Sequence, residues 1–369
     1  MPEYPENWKE MNIVLAHDWL TGMRGGERVL ELLCSGFPAA TVCTLIHNRT
    51  AISDTINSHP IVTSSLQRLP GVVGYYRYLL PFMPSAIERM SPPESDLIIS
   101  TSHCVAKGLK SRPGTRHLCY CFTPMRYAWT FYDEYFGGNT VKKMFLKPVL
   151  ARMRAWDRSA SDRIDRFVAI SEHVRKRIRE FYDRDADVVF PPVDLDYYTP
   201  GGQVAADFDL VVSALVPYKR IDLAVRAYTR TGYPLKIIGV GTETNALKKL
   251  AGGNIEFLGW QSYGVIREMF RNCRQLIFPG EEDFGLVPVE VQACGRPVVA
   301  FGRGGILETV NEGESGIFFE SQTEDALIAA VEHSAAMKWD LETIRKSALR
   351  FSIGNFISGL DESISRVLA

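Results

Sequence analysis

Two glutamates, Glu282 and Glu290, flank an apolar run in "EEDFGLVPVE", residues 281–290. Carboxylates only accept hydrogen bonds, which suits them to vicinal hydroxyls and makes them poor partners for phosphate. A strand is predicted at Gln275 to Phe278, and Pro288 suits the first turn of a helix that Gly295 and Pro297 end. Glu282 then lies on a loop at the carboxyl end of a strand, and Glu290 near a helix start. Between them the free backbone N–H groups of Gly285, Leu286 and Val287 form a ready phosphate site. Hydroxyls at both ends and a diphosphate between them describe a nucleotide sugar. The same spacing also fits a solvated loop glutamate and a second one that complements the helix dipole.

Other residue groups point less sharply. Gly25 and Gly26 follow a predicted strand and open a helix, so bare backbone could approach an anion or a sugar there, though a tight turn explains glycine equally well. No GxGxxG follows Ala16, and Gly239-Val240-Gly241 is only a fragment of one, which argues against a dinucleotide-binding dehydrogenase. Asp183, Asp185 and Asp187 form overlapping DxD matches, but they follow a helix in the basic "RKRIREFYDRDADVVF" and fit a solvated turn better than a metal site. His17, His103 and His173 are too dispersed for a metal cluster. Nothing brings two acids together across a scissile bond as a glycosidase requires.

Short β-rich runs alternating with helical patterns must position these residues. Strands are predicted at Met11–Ala16, Thr41–Ile46, Asp96–Ser100, His117–Cys121, Arg163–Ile170 and Val188–Phe190, the first followed by a helix over Gly26–Cys34. After the breaker-rich "PPVDLDYYTPGG" the alternation restarts, with strands at Leu210–Ala214, Leu235–Gly239, Ile255–Leu258, Gln275–Phe278 and Val298–Phe301. The expectation is an α/β protein with two Rossmann-like, doubly wound parallel-sheet domains across a cleft. The domains are predicted at 11–192 and 203–350, with a helix over 351–369 packing back on the first and residues 1–10 as a loose tail.

With 369 residues the chain exceeds one core, and a net charge of −1 gives no reason to expect nucleic acid. Seven cysteines without a CxxC pair suggest reduced thiols and a cytoplasmic setting. No run is long and apolar enough to span a bilayer, so any membrane contact is expected to be peripheral. Basic residues from Lys142 to Arg179, with Met144, Phe145, Leu146, Val149, Leu150, Met153 and Trp156 interleaved among the first, fit a helix lying on anionic lipid. They also fit one with an apolar face in the core. The aromatic "GVVGYYRYLLPFMP", residues 71–84, adds to the lipid reading.

The stretch Pro279 to Gly305 resembles the E-x7-E signature of retaining glycosyltransferases of family 4, which have the GT-B fold. "AHDWLTGMRGGERVLE", "STSHCVAKG", "TPMRYAW" and "VPYKRIDLAV" fall in matching order along nearly the whole chain. Together they look most like bacterial mannosyltransferases that build O-antigen and exopolysaccharide chains. The resemblance implies that Glu282 holds the donor sugar, Glu290 the ribose, the amides of Phe284 to Val287 the sugar and phosphate, and Lys219 the diphosphate. It implies an acceptor near Asp18, Gly25, Gly26 and His103, and front-face attack in which the donor diphosphate takes the acceptor proton. The substrates would be a nucleoside-diphosphate sugar, GDP-mannose favoured, and a glycan or lipid-linked glycan at the inner membrane face, with no metal or other cofactor.

Two residues depart from the family. Ala214 stands where an arginine usually grips the phosphates, and Phe122 where a histidine usually lies near the reacting sugar. Losing one such contact could cost on the order of a hundredfold in rate. Either Arg220, Arg126 or Arg303 substitutes, or the protein is a weakened or inactive transferase that binds a nucleotide sugar or partners an active enzyme.

Overall fold

The protein is described by a computed structural model covering residues 2–129, 140–202 and 206–369, with backbone alone for 140–146. The chain divides into two compact units, one of residues up to Pro191 with Phe356–Ala369, the other of Pro192–Asn355.

The first unit is built on seven parallel strands: β1 (Ile13–His17), β2 (Thr41–Thr44), β3 (Ile61–Thr63), β4 (Leu97–Ser102), β5 (Arg116–Cys121), β6 (Arg166–Ala169) and β7 (Ala186–Val188). Their order is β3-β2-β1-β4-β5-β6-β7. All residues of β1 and β4 are buried, as expected of parallel strands covered on both faces. The second unit holds six: β8 (Asp209–Val212), β9 (Leu235–Ile238), β10 (Ile255–Gly259), β11 (Leu276–Phe278), β12 (Val298–Phe301) and β13 (Gly316–Phe319), ordered β10-β9-β8-β11-β12-β13. The order reverses between β1 and β4 in one sheet and between β8 and β11 in the other. Open α/β sheets present ligand sites at the carboxyl ends of strands flanking such a reversal. The three-residue β3 and the four-residue β13, absent from the sequence expectation, complete the two sheets.

The loose tail expected at residues 1–10 is corrected. Residues Glu6–Lys9 form a 3-10 turn whose Trp8 is buried, stacks on Phe37 at 4.3 Å and donates from its indole N–H to Asp361 at 2.7 Å. An apolar ring in an otherwise polar segment found a core to enter. The breaker-rich stretch after Pro191 packs within the second unit. Val193 N–H donates to Phe351 O at 2.8 Å, and the Arg345 guanidinium holds the carbonyls of Leu195 and Tyr198. The C-terminal helix, Ile353–Leu368, joins the first unit from Phe356 onward.

Candidate functional site

In the second unit the loops after β8 and β11 carry the two residues expected to do most. The Lys219 ammonium and the Glu282 carboxylate form an ion pair. Gly280 allows the loops to meet, since a Cβ there would lie 2.9 Å from the Lys219 Cα and carbonyl oxygen. A third loop holds Glu282 from behind: Gly305 N–H donates to Glu282 O at 2.8 Å. Gly304, at φ +81°, passes so close that a Cβ would sit 2.4 Å from that same oxygen. The "GRGG" after β12 is thus a backbone clamp on the glutamate loop.

Gly285, at φ +94°, caps the helix Leu286–Ala293 without any side-chain acceptor, so its first amides are left for another acceptor. The Phe284 side chain turns inward, edge-on to Phe351 at 5.4 Å. Glu290 lies half-buried one turn into the helix, bonded to Tyr198. Burial, then the Glu290 charge and hydrogen bond, push the Tyr198 phenol well above its ordinary range, so Tyr198 is a permanent donor. Sequence reasoning missed Tyr198, whose only signal was an aromatic pair inside a stretch read as a boundary. The glycines of Gly239-Val240-Gly241 serve loop packing: Cβ atoms there would lie 1.8 Å and 2.1 Å from the carbonyl oxygens of Ser213 and Leu215.

Ala214 is exposed on the loop after β8. Of the candidate substitutes, Arg220 is engaged with Asp222 at 3.2 Å and Gln322 at 2.8 Å. Arg126 is half-buried in the first unit and also engaged. Arg303 is exposed on the clamp loop, its guanidinium over the Phe301 ring at 5.6 Å.

In the first unit the ends of β1 and β4 converge on Asp18, which is fully buried. Its Oδ2 accepts the backbone N–H groups of His103 and Cys104 at 2.7 and 3.0 Å, and its Oδ1 those of Val105 and Ala106 at 2.6 and 2.7 Å. Asp18, expected near the acceptor, spends its oxygens in shaping the loop after β4, and His103, paired to it at 2.9 Å, is the half-exposed member. Gly26 lies in the first turn of the helix Gly25–Gly36. The space before it is taken by Phe122, whose ring would be 3.3 Å from a Cβ there, with His17 close behind at 3.5 Å. His17 lies between Thr101 and Glu27, both buried.

The three aspartates of the DxD matches are spent locally. Asp185 pairs with Arg175 and Arg179, Asp187 with Arg166 and Arg366, and Asp183 caps a helix at φ 57°. Among the described residues, no group of three His, Cys, Asp or Glu could hold a metal ion.

These two sheets and their reversals define an α/β protein of the GT-B class. HepE of Anabaena, solved with UDP and glucose, matches with a TM-score of 0.68 at 17% identity, over 96% of this chain and 99% of that one. The lipopolysaccharide outer core galactosyltransferase WaaB gives 0.68 at 16% identity, over 96% and 99%. Residues 23–197 match the family described as Glycosyltransferase Family 4, and residues 207–348 Glycosyl transferases group 1. The chain belongs to this group 1, family 4 type of glycosyltransferases. It is 28% identical over 200 residues to an uncharacterised glycosyltransferase of Methanocaldococcus jannaschii, covering 53% of this chain and 54% of that one. It is 31% identical over 220 residues to a D-inositol 3-phosphate glycosyltransferase of Mycolicibacterium gilvum, covering 48% and 50%. The chain thus spans about half the length of the curated relatives it matches.

Proposed function

We propose that the protein is a retaining hexosyltransferase that moves a sugar, mannose favoured, from a nucleoside diphosphate to a glycan or lipid-linked glycan. The observation that carries this reading is the Lys219–Glu282 pair at the reversal of the second sheet, beside a helix start whose amides lack a side-chain cap. Each charge keeps the other until a donor arrives. The diphosphate then takes the ammonium and the amides of Phe284 to Val287, and a sugar hydroxyl takes the carboxylate. As the anomeric C–O bond breaks and its electron pair leaves with the nucleoside diphosphate, Lys219 meets the growing charge. Glu290, oriented by Tyr198, accepts from the ribose hydroxyls.

The chemistry of assembly on a membrane favours a peripheral protein at the inner face. Tyr78 and Phe82, 85% and 63% exposed, lie in the aromatic segment that would meet lipid. In the basic helix, Thr140–Ser161, the buried Leu150 and Met153 face the core, and the side chains before Lys147 lie outside the described residues. Among the described residues no helix is long and apolar enough to cross a membrane.

A thermal-shift screen against GDP, UDP, ADP and dTDP, followed by transfer assays with the matching nucleotide sugars, tests the proposal. Preferential stabilisation by one nucleotide and transfer from its sugar are expected. Absence of both transfer and donor hydrolysis for every pair would sink it.

Ala214 and Phe122 favour a second reading, a protein that binds the nucleotide but is weak or inactive. It predicts that Phe122→His with Ala214→Arg creates turnover the parent lacks. Robust turnover by the parent removes it and makes Arg303 the substitute to test.

A further inference from the structure

We infer that Tyr198 makes the donor site selective for ribonucleotides, by fixing the Glu290 carboxylate for a vicinal diol, so that the donor is a ribonucleoside-diphosphate sugar and not a 2′-deoxy one. This rests on the transferase reading above and narrows the donor class of the same site. Every residue involved lies within the second unit.

The contact begins in packing. Tyr198 is 6% exposed, its ring edge-on to Tyr197 at 5.1 Å and tilted against Phe270 at 6.0 Å. Phenylalanine would fill that space equally well. The hydroxyl is what packing does not require, and it is bonded to Glu290. The main chain around it has little freedom. Tyr198 N–H donates to Asp194 O at 2.9 Å, Asp194 Oδ1 accepts the N–H groups of Asp196 and Tyr197, and Arg271 Nε donates to Thr199 O at 2.8 Å. The Arg345 guanidinium joins both partners. It holds the Tyr198 carbonyl at 2.8 Å and also that of Ala293, which closes the helix that carries Glu290. One cation therefore ties the tyrosine to the glutamate helix.

Burial, then the Glu290 charge, keep the phenol protonated far above its ordinary range, so Glu290 always has this donor. A carboxylate has two oxygens and only accepts. Bound to a buried tyrosine, the half-buried Glu290 is held from turning out to water, and its remaining lone pairs are aimed before any nucleotide arrives. A ribose meets them with two neighbouring hydroxyls. A 2′-deoxyribose offers one and leaves part of a desolvated charge unpaired, which is how a polar site rejects an analogue that lacks a hydroxyl. A glutamate without the phenol would swing to solvent and lose that discrimination. Tyr198 is thus a positioning residue that acts through Glu290.

The test measures dissociation constants of the full chain for GDP, UDP and ADP, each beside its 2′-deoxy counterpart, with inorganic pyrophosphate as a ligand that has no ribose. For the base the parent prefers, the ribose form is expected to bind at least about tenfold tighter than the deoxy form. In Tyr198→Phe that ratio is expected to fall to about two or less, through weaker binding of the ribose form, with pyrophosphate affinity unchanged. Glu290→Gln should lower the ratio as far, and the double variant no further than either, because the two side chains act as one unit. Equal binding of both forms by the parent overturns the inference, as does a Tyr198→Phe variant that keeps the full ratio. A Tyr198→Phe variant that loses pyrophosphate along with both nucleotides, at a lowered melting temperature, overturns it in favour of a purely structural role. A parent that shows the ratio, and its loss in Tyr198→Phe, yet transfers no sugar from any donor supports the inference and counts only against transfer. A parent that binds no nucleotide overturns both.

Discussion

At the scale of single residues, the site is set by how charges and glycines are shared. Lys219→Ala and Glu282→Gln are each expected to lower kcat/KM by about 100-fold or more, because each removes a contact that strengthens as the diphosphate departs. Steady-state kinetics on the responsive donor check this. The folded state should tolerate Glu282→Gln well, since both side chains keep some access to water. Gly304→Ala is a different case. The residue sits at φ +81° with the Glu282 carbonyl oxygen 2.4 Å from any Cβ. The substitution is expected to displace the glutamate loop, costing about 1–3 kcal/mol and most of the nucleotide-induced rise in melting temperature. The glutamate motif was visible in the sequence because its chemistry is local. The Tyr198 contact was not, since it joins positions distant along the chain.

At the scale of elements, one buried contact ties the turn after β4 to the helix Thr140–Ser161, and another joins β4 to β5. Lys107, fully buried, is bound to Asp157 at 2.6 Å, and Asp157 also accepts from Trp129 and Tyr182. Replacing Asp157 by Ala strands the ammonium and is expected to cost about 3–5 kcal/mol, read from urea midpoints. At the edge of the core, β5 carries His117, whose Nε2 lies 2.9 Å from Ser100 Oγ. Burial, with the Arg163 charge adding to it, pushes His117 down to about 3. The unfolded chain takes up that proton near 6.5. Between those values the unfolded state binds more protons, so stability falls as pH falls, by up to ~1.4 kcal/mol per pH unit. Above the unfolded value the contribution is flat. Urea midpoints from pH 8 to 4 should show this slope in the parent and a shallower one in His117→Asn. Trp8→Ala is expected to lose about 3–5 kcal/mol, because the ring fills space against Phe37 and ties the amino-terminal turn to the last helix.

For the whole molecule, the chain's return to its first unit matters most. Phe356 packs edge-on to Tyr120 at 5.6 Å, and Ser363 and Arg366 reach Asp187. Removing residues 356–369 is expected to destabilise the first unit and leave the second folded, seen as loss of one of two melting transitions. A fragment of residues 192–355 is expected to fold and to keep its preference among nucleotides, measurable by thermal shift, because its sheet and glutamate loop lie within it.

The sequence by itself determined the alternation of strands and helices, and hence an α/β fold with two parallel sheets, because period and turn chemistry are local properties. It also determined the resemblance along the glutamate helix and the two departures, Phe122 and Ala214. Only the tertiary structure decided what these residues touch. It buried Trp8, turned Asp18 into the anchor of a loop, committed Arg220 to Asp222 and Gln322, and set Phe122 over Gly26. Burial and hydrogen-bond satisfaction depend on partners distant in the chain, and no spacing within a motif encodes which partner arrives first.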